Sequence, residues 1–552
     1  MKPLHLTLAL FFLCFSTKAE DRVYERVYVH TDKDCYIAGE DIRLKFYVID
    51  TRFQPSDLSK VGYVEICSSE KPLMQLKVAL KKGSGAGTIK IPGNIPSGVY
   101  RLSGYTRYMR NEGEDVFFGK QIAVVNPAQK NPDPKQFELV EEYVSAYSEN
   151  KESSDLSIKT DQSEYGNRRE VRLSIDRIPA NTADLVVSVT RNDSIARMPE
   201  TNNREWLKQV TKTLPFSRQW IPEYEGHIIT GRFVPDPKEE LATSLAFVGN
   251  DIRLFNGQIN PQNGTVNFYT AGIFDNRQVV TSAILPGYYD KAPYRLDLLS
   301  PFCESSPVEL PVLQIYPNEN RIMERYIGVQ LQEKANRDFL HNSGQIADYC
   351  TFEPTYSYDL DEYTRFPTIS ETILEFVIKV RVNKIRETRR ISVFKEDQRF
   401  SSKTLVLLDG VPVYNHEDIL EYNPMHIKKI NIYENQYMFG NIDFDCIVSF
   451  ITKGKNLPYF QLTGESQLFN YECPQLPSEF DLPDYSTETA KKSGKPDFRH
   501  TLYWNPFVEA TIGEPVRLSF YTSDLCGEFK VTVEGITTDG KMIRGVSYFR
   551  VK

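Results

Sequence analysis

Between residues 22 and 127, apolar and polar positions alternate in short segments, which is the pattern of consecutive β-strands. The alternation is clearest at residues 26–30 and 42–49. Turn-forming residues separate such segments at 38–41 and in the glycine-rich stretch 83–87. Several short strands at roughly ten-residue spacing predict a two-layer β-sandwich over residues 22–127.

The same alternation returns after a polar linker. Residues 128–154 are rich in Asn, Pro, Lys, Glu and Ser, a composition typical of a connecting segment. Strand-like segments follow across residues 155–310, where we expect one or two further sandwich domains. Residues 496–552 contain more alternating stretches around a Thr-Asp-Gly turn and predict a terminal sandwich.

Two segments before residue 404 show helix signals. Apolar residues between positions 318 and 333 recur every three to four residues, which predicts one amphipathic helix. Thr368 and Glu371 have the spacing of a capping box, which predicts the start of a second helix.

Residues 404–454 form the most distinctive segment. An apolar strand ends at Asp409 and Gly410, a pair that favours a tight hairpin turn, and a second strand begins at Val411. A helix-like stretch at 418–422 and strands at 423–433 and 446–454 complete an α+β domain, predicted over 318–456. The predicted fold class is therefore mainly β and multidomain, with sandwiches flanking a small α+β domain.

The N-terminal segment has the layout of a secretory signal peptide. Lys2 gives a basic start, residues 6–15 are apolar, and Thr17 and Ala19 supply small residues before a cleavage site. We expect residues 1–19 to be removed and the chain to be exported to the periplasm or the outer membrane, with surface exposure as an alternative. Acylation of Cys14 is disfavoured because bulky Leu13 precedes it.

Composition and net charge indicate which classes of fold and partner to expect. Tyr and Phe number 32 each, which favours strands. The net charge is −8, and loss of Lys2 and Lys18 with the signal peptide makes it two units more negative. A chain with no basic footprint is not expected to bind nucleic acid. No segment after the signal peptide has the roughly 18 consecutive apolar residues of a membrane-spanning helix.

The cysteines are scattered and never occur as C-x-x-C. This excludes a zinc-ligand pattern and a dense disulfide scaffold. One local pair, Cys35 with Cys67, is a candidate disulfide between two strands of the first domain, and the alternative for all the cysteines, which is the default for a large β protein, is buried free thiols.

Several motifs resemble known envelope-protein families. Residues 27–32, 36–40 and 44–46 resemble the opening of macroglobulin domains, and residues 95–102 and 104–110 resemble their closing strands in Bacteroidota envelope proteins. Residues 221–300 are similar to small transthyretin-like sandwiches, and 496–552 resembles a terminal immunoglobulin-like domain. These resemblances imply modules that bind or scaffold.

Residues 404–454 resemble the plug domain of TonB-dependent outer-membrane receptors. The resemblance marks a candidate partner contact at seven positions: Asp409, Gly410, Val411, Pro412, Asn423, Pro424 and Gly454. In that family the plug fills a 22-stranded barrel. A barrel of 22 strands, each of about ten residues, would need far more than the roughly 98 residues that follow Gly454. This chain is therefore not expected to transport by itself.

The sequence offers no chemistry-bearing motif. It contains neither H-E-x-x-H nor G-x-S-x-G, and no cysteine has the Gly-Cys-Gly-Glu-Gln context of a thioester. Asp359, Asp361 and Glu362 lack the loop glycine and further ligands of a calcium site. We therefore expect no catalytic residue, cofactor or metal.

The sequence thus predicts a non-catalytic exported envelope protein that binds a partner protein or polymer. One alternative is an auxiliary subunit of a TonB-dependent uptake system that docks on a separate outer-membrane barrel. A second is a non-covalent, macroglobulin-like protease inhibitor.

Overall fold

The computed structural model describes nineteen stretches of the chain. They are residues 23–129, 137–140, 154–192, 195–199, 201–210, 214–234, 241–249, 252–260, 263–274, 276–284, 294–304, 306–316, 319–337, 353–385, 388–395, 399–439, 442–462, 466–511 and 513–552. The predicted signal peptide, residues 1–19, and most of the linker 128–154 lie outside them. The chain is mainly β and forms many separate sheets, which confirms the predicted fold class.

Sandwich 1 is formed by the first eight strands. They are β1 (Arg26–Thr31), β2 (Cys35–Ile37), β3 (Asp41–Ile49), β4 (Val61–Cys67), β5 (Pro72–Ala79), β6 (Ser84–Lys90), β7 (Gly98–Thr106) and β8 (Phe118–Val125). One sheet has the order β1-β3-β6 and the other β2-β8-β7-β4-β5. Aromatic side chains such as Phe46, Tyr63 and Tyr105 are fully buried in its core. The glycine-rich stretch 83–87 enters strand β6, as a hairpin does.

Sandwich 2 is assembled from two segments far apart in sequence. Its strands are β10 (Ser157–Thr160), β11 (Glu164–Tyr165), β12 (Glu170–Asp176) and β13 (Thr182–Arg191), with β32 (Thr501–Asn505), β33 (Val516–Tyr521), β34 (Gly527–Thr537) and β35 (Met542–Val551). The sheets have the orders β10-β12-β33 and β11-β35-β34-β13-β32. The sequence placed these segments in separate domains, because strand periodicity identifies a strand but not its partner.

Sandwich 3 is built on the middle strands. They are β14 (Ile228–Val234), β15 (Ala242–Phe247), β16 (Leu254–Asn256), β17 (Gln258–Ile259), β18 (Thr265–Tyr269), β19 (Asn276–Ile284), β20 (Arg295–Leu298) and the distant β31 (Gln467–Glu472). The two sheets have the orders β17-β18-β14-β20 and β16-β15-β19-β31.

The α+β unit contains the remaining longer elements. Its strands are β22 (Tyr356–Asp359), β23 (Val380–Ile385), β24 (Thr388–Val393), β25 (Thr404–Leu408), β26 (Val411–Pro412), β27 (Ile427–Tyr433), β28 (Tyr437–Phe439), β29 (Ile442–Phe444) and β30 (Cys446–Thr452), and its helices are α3 (Ile369–Phe376) and α4 (His416–Leu420). The central sheet has the order β22-β27-β30-β25-β26, and β23-β24 and β28-β29 are hairpins.

The connecting elements are short except for one helix. They are strands β9 (Phe137–Leu139) and β21 (Leu313–Ile315), which pair in parallel, and helices α1 (Asn203–Gln209), α2 (Glu319–Arg337) and α5 (Glu488–Lys491). The periodicity over residues 318–333 predicted α2, and the helix is present there.

A buried carboxylate joins sandwich 1 to sandwich 2. Glu534 accepts hydrogen bonds from Tyr28 Oη (2.7 Å) and contacts His30 Nδ1 (2.9 Å) and Arg544 Nε (3.1 Å). Burial raises the pKa of Glu534, but His30 and Arg544 outweigh it and lower that pKa to about 2. The two sandwiches therefore meet through a charged contact that excludes water.

A second polar cluster joins sandwich 1 to sandwich 3. Tyr63 Oη lies 2.9 Å from both carboxylate oxygens of Glu223, and Glu223 Oε1 is 2.9 Å from His227 Nδ1. His227 Nε2 is 2.7 Å from the Tyr471 hydroxyl of β31. The four residues come from β4, from the loop before β14 and from β31, so the cluster fixes how sandwich 3 sits on sandwich 1.

Helix α2 is held on sandwich 1 by a buried ion pair. The Arg325 guanidinium donates from Nε and Nη2 to the two oxygens of Glu40, both at 2.7 Å, and from Nη2 to the carbonyl of Cys35 (2.9 Å). Lys33 Nζ is 3.1 Å from the same carboxylate. Burial raises the pKa of Glu40, but the two cations outweigh it and hold that pKa well below its usual range.

Candidate partner-binding face

The turn between β25 and β26 has the conformation that its sequence predicts. Asp409 has φ 46° and Gly410 has φ 78°, so both central residues are in the left-handed region. A two-residue hairpin of this kind matches the right-handed twist of the strands, and Asp-Gly is among the pairs that tolerate it. The predicted turn is therefore present.

The Asp409 side chain braces a neighbouring turn. Its fully buried carboxylate accepts hydrogen bonds from Thr452 N (2.7 Å), Thr452 Oγ1 (2.6 Å) and Leu457 N (2.9 Å). Burial raises the pKa of Asp409, although these donors oppose the shift. The carboxylate thus fixes the chain on both sides of Gly454.

Asn423 and Pro424 organise a third loop at the same end of the sheet. Asn423 is exposed, and its Oδ1 accepts a hydrogen bond from Met425 N (2.9 Å), which caps a short 3-10 turn. Pro424 is buried, and its carbonyl accepts from Arg365 Nη1 (2.9 Å). Arg365 also donates to the carbonyl of Ile427 (2.7 Å), so the loop is tied to the segment before α3.

Direct contacts connect these loops. Lys453 N donates to the carbonyl of His426 (2.9 Å), and the Tyr422 hydroxyl donates to the carbonyl of Pro458 (2.5 Å). The rings of His426 and Tyr459 lie 5.0 Å apart. We call the exposed part of this end the turn face, which consists of Asn423, Met425, Lys453, Gly454, Lys455 and Tyr459.

The turn face exposes large side chains that a folded protein usually covers. The Tyr459 side chain is 87% exposed and Met425 is 52% exposed. Lys455, Leu457 and Tyr459 have φ values of 52°, 52° and 58°. Left-handed conformations are uncommon for such residues, and local strain of this kind clusters at binding sites.

Positive charge surrounds the apolar side chains. Lys428, Lys453 and Lys455 are exposed. A hydrogen bond from Arg365, with the charges of Lys453 and Lys428, lowers the pKa of Asp361, which places these cations around one carboxylate. The face therefore combines an aromatic ring, a thioether and several ammonium groups.

The seven residues singled out in the sequence divide into two groups. Asp409, Gly410, Val411, Pro412 and Pro424 are buried, so they shape the loops, whereas Asn423 and Gly454 are exposed on the turn face. The β25–β26 turn also contacts sandwich 3, because Gly249 N donates to the carbonyl of Asp409 (2.9 Å).

The sequence did not indicate Met425 or Tyr459. Each follows a proline in an irregular segment, where no periodicity shows which way a side chain points. Only the three-dimensional arrangement of the loops shows that both side chains are exposed.

The predicted disulfide does not fit sandwich 1. Cys35 on β2 pairs with Ala123, and Cys67 on β4 pairs with Arg101. Strands β8 and β7 lie between them, which separates the two cysteines by three strand spacings, or about 14 Å. A disulfide needs Cα atoms within about 7 Å, so the proposed Cys35–Cys67 bridge is wrong for this fold.

The described stretches contain no group of three or more His, Cys, Asp or Glu side chains placed to hold a metal ion. Within the same stretches, no helix is both long and apolar enough to cross a membrane. That the chain is not an enzyme stays a prediction.

Comparison with known proteins yields only remote structural likeness. No protein-family model and no curated protein matches the chain. Salmonella alpha-2-macroglobulin reacted with methylamine aligns with 96% of this chain and 39% of that chain, at 9% identity and a TM-score of 0.25. Trypsin-activated alpha-2-macroglobulin from Escherichia coli aligns with 96% and 41%, at 9% identity and a TM-score of 0.24.

The elastase-activated form of the Escherichia coli protein is similar to the same degree, with 10% identity, a TM-score of 0.25 and coverage of 96% of this chain and 44% of that chain. The chain thus spans less than half the length of the macroglobulins that it aligns with. The three sandwiches follow from the strand order of this chain's own sheets and not from these similarities.

Proposed function

We propose that this chain is a non-catalytic, exported cell-envelope protein that binds a partner protein or polymer, with the turn face of its plug-like α+β unit as the principal contact. The observation that carries the proposal is the exposure of Met425 and Tyr459 on two adjacent loops, the second of which holds Tyr459 and its neighbours in left-handed conformations. Both side chains are held in place by hydrogen-bonded loops.

The chemistry of the face supports binding. Aromatic residues and Met are enriched at the centres of protein interfaces, where a large ring contributes contact area at low entropic cost. The surrounding lysines favour a partner with acidic groups, since opposite charges speed association and orient the partner. A polymer with carboxylates or an acidic protein surface has this chemistry.

The course of the chain supports a role other than transport. After Gly454, the described residues enter β31 of sandwich 3 and then β32–β35 of sandwich 2. The α+β unit is therefore a docked module within a scaffold of sandwiches, and its turn face is the part left open.

Affinity capture tests the proposal. The wild-type protein, Tyr459→Ser and a control variant are each used as bait in envelope extracts of the source cells. Tyr224→Ser is a matched control, because Tyr224 is 51% exposed on a different part of the chain. We expect the wild type and Tyr224→Ser to retain the same partner, and Tyr459→Ser to lose at least 90% of it. Equal recovery by all three proteins would contradict the proposal.

The same experiment separates the uptake alternative. If the chain serves a TonB-dependent system, the captured partner is an outer-membrane barrel protein. Its consistent absence from the captured material would exclude this reading. Protease treatment of intact cells then shows whether the protein is on the surface or in the periplasm.

The protease-inhibitor alternative follows from the macroglobulin resemblance of residues 22–127. It predicts that the purified chain slows one or more endoproteases of a panel at stoichiometric concentration. A panel left uninhibited would exclude it.

A further inference from the structure

A second open site lies in sandwich 2, far in sequence from the turn face. A groove of about 450 Å³ runs beside strand β33, and we call it the β33 groove. The residues that matter for its chemistry are Phe507, Val508, Glu509, Glu514, Arg517 and Leu518. Its volume is in the range of pockets that bind small ligands or a few residues of a peptide.

The groove lies at the edge of a sheet, where only the last residue of β33, Tyr521, has its carbonyl bonded by the Arg499 side chain among the hydrogen bonds described (3.2 Å). Strand β33 is the last strand of the sheet β10-β12-β33, and β32 is the last strand of the opposite sheet. Within the described residues, no strand pairs with the outer side of β33. An edge of this kind presents backbone groups that an incoming strand can bond.

The register shows which backbone groups point outward. Arg172 of β12 donates from its N to Asp161 Oδ1 (2.9 Å) and accepts at its O from Asp161 N (3.0 Å), so its backbone faces away from β33. Ser519 is the residue opposite Arg172. In an antiparallel pair, the backbone groups of two opposed residues point either toward each other or away from each other, so the N–H and C=O of Ser519 point away from β12. Those of Arg517, which lines the groove, point the same way, because outward-facing residues alternate along a strand.

The wall of the groove is held rigidly. Val508 N donates to the carbonyl of Leu185 on β13 (3.0 Å), and Phe507 N donates to Asn505 Oδ1 (2.9 Å). Lys45 Nζ lies 3.6 Å from the centre of the Phe507 ring, a cation–π contact that fixes the ring. Phe507 is nevertheless 40% exposed, so part of it remains available to a ligand.

The charges of the rim select among ligands. Glu509, Glu514 and Arg517 are exposed, which gives an excess of one carboxylate. Within the described part of the chain, neither glutamate forms an ion pair. A cationic side chain at the rim would therefore meet two carboxylates and one guanidinium, so the rim favours a basic ligand by one charge.

We propose that the β33 groove binds an extended peptide segment of another protein, which adds as a strand to β33. The peptide carries an apolar side chain against Phe507 and Leu518 and a Lys or Arg side chain toward Glu509 and Glu514. Backbone hydrogen bonds to a sheet edge supply affinity in this mode, and alternate side chains supply specificity. The site goes beyond the turn face and does not depend on it.

Selection from a random heptapeptide phage library against the full-length protein tests this proposal. We expect enriched sequences in which Lys or Arg alternates with apolar residues. The best synthetic peptide, labelled with a fluorophore, should bind the wild type with a Kd that anisotropy measures directly. Failure to enrich any peptide, or enrichment of acidic peptides only, would overturn the proposal.

Three variants locate the binding. Ser519→Pro removes the outward N–H, which an edge strand tolerates, and should weaken the peptide at least tenfold. Ser519→Ala keeps that N–H and should bind as the wild type does. If Ser519→Pro fails to fold, Glu509→Gln with Glu514→Gln, which leaves the backbone intact, should give a comparable loss for the cationic peptide.

Two further results distinguish a foreign peptide on β33 from binding at the turn face or by a second copy of the chain. Tyr459→Ser should bind the peptide like the wild type, because the turn face is a separate site. A dimer of this chain that Ser519→Pro abolishes in sedimentation analysis would assign the edge to a second copy and overturn the proposal of a foreign peptide. Unchanged peptide affinity in Ser519→Pro and in Glu509→Gln with Glu514→Gln would also overturn the proposal.

Discussion

The carboxylate of Asp409 contributes to stability through hydrogen bonds on both its oxygens. Asp409→Asn has the same shape, but its amide group must face either Thr452 N–H or Leu457 N–H, both of which are donors. A buried donor without an acceptor costs about 1–3 kcal/mol. We expect a lower urea midpoint and faster proteolytic cleavage near Gly454.

Asp443→Asn is the control for that change. Asp443 is in the same α+β unit, and its exposed side chain pairs with Lys403 at 2.7 Å. Exposed ion pairs contribute little, so this variant should unfold like the wild type. Equal effects of the two substitutions would contradict the role given to Asp409.

Two buried histidines make stability depend on pH. Burial lowers the pKa of His227 to about 4, against the opposing effect of Glu223, and lowers the pKa of His416 to about 4. An unfolded histidine has a pKa of about 6.5. Below that pH the unfolded chain takes up protons that the folded chain excludes until about pH 4, so stability is lost as the pH falls through this window.

We therefore expect the urea midpoint of tryptophan fluorescence to fall between pH 7.5 and pH 5. His227→Asn should be less stable at pH 7.5 and should show a smaller fall on acidification. His426→Asn, which changes a partly exposed histidine, should keep the full fall. An unaltered pH dependence in His227→Asn would show that the histidine is not responsible.

At the scale of elements, the docking of α2 combines apolar packing by Ile322, Tyr326 and Val329 with one fully buried ion pair. Arg325→Ala leaves the buried Glu40 without its main partner, and breaking a buried pair costs roughly 3–5 kcal/mol. We expect faster amide exchange across residues 319–337 and in β2, while sandwich 2 is unchanged. Gln330→Ala alters the exposed side of the same helix and should exchange like the wild type.

Local signals in the sequence identified the elements that local chemistry determines. Thr368 Oγ1 accepts a hydrogen bond from Glu371 N (3.2 Å), so Thr368 caps the start of α3 at the predicted position. The Asp409–Gly410 pair forms the predicted turn. Strand β31 was missed, because its partner β19 lies almost two hundred residues earlier and a short alternating segment does not reveal where it pairs.

At the scale of the whole molecule, sandwich 2 depends on strands from both halves of the chain. Residues 496–552 on their own lack β10–β13, and β34 would lose its pairing with β13 along nine residue pairs. We expect this fragment to be unfolded by circular dichroism. Mixing it with a chain ending at residue 495 should restore strand content, and a fragment that folds alone would contradict this architecture.

The sequence predicted the mainly β, multidomain class because strand periodicity recurs along most of the chain. It did not predict how the segments combine, since that depends on side chains that meet only after folding. Glu534 and His30 illustrate this, as they are separated by 504 residues yet lie 2.9 Å apart. The sequence identified only Asn423 and Gly454 of the turn face, because no periodic pattern shows whether a side chain in a loop is exposed.

The pairing of β12 with β33 has a consequence for biogenesis. Arg169 N donates to Thr522 Oγ1 across 353 residues of sequence, so among the described strands β12 has only β10 as a partner, and β13 has none, until β32–β34 are made. Loop closure over such a distance slows folding, and an unpaired strand edge invites aggregation in the interval. When this chain is delivered from its N-terminus, one edge of β12 and both edges of β13 therefore stay unpaired until β32–β34 arrive, and a holding chaperone would have its greatest effect in that interval.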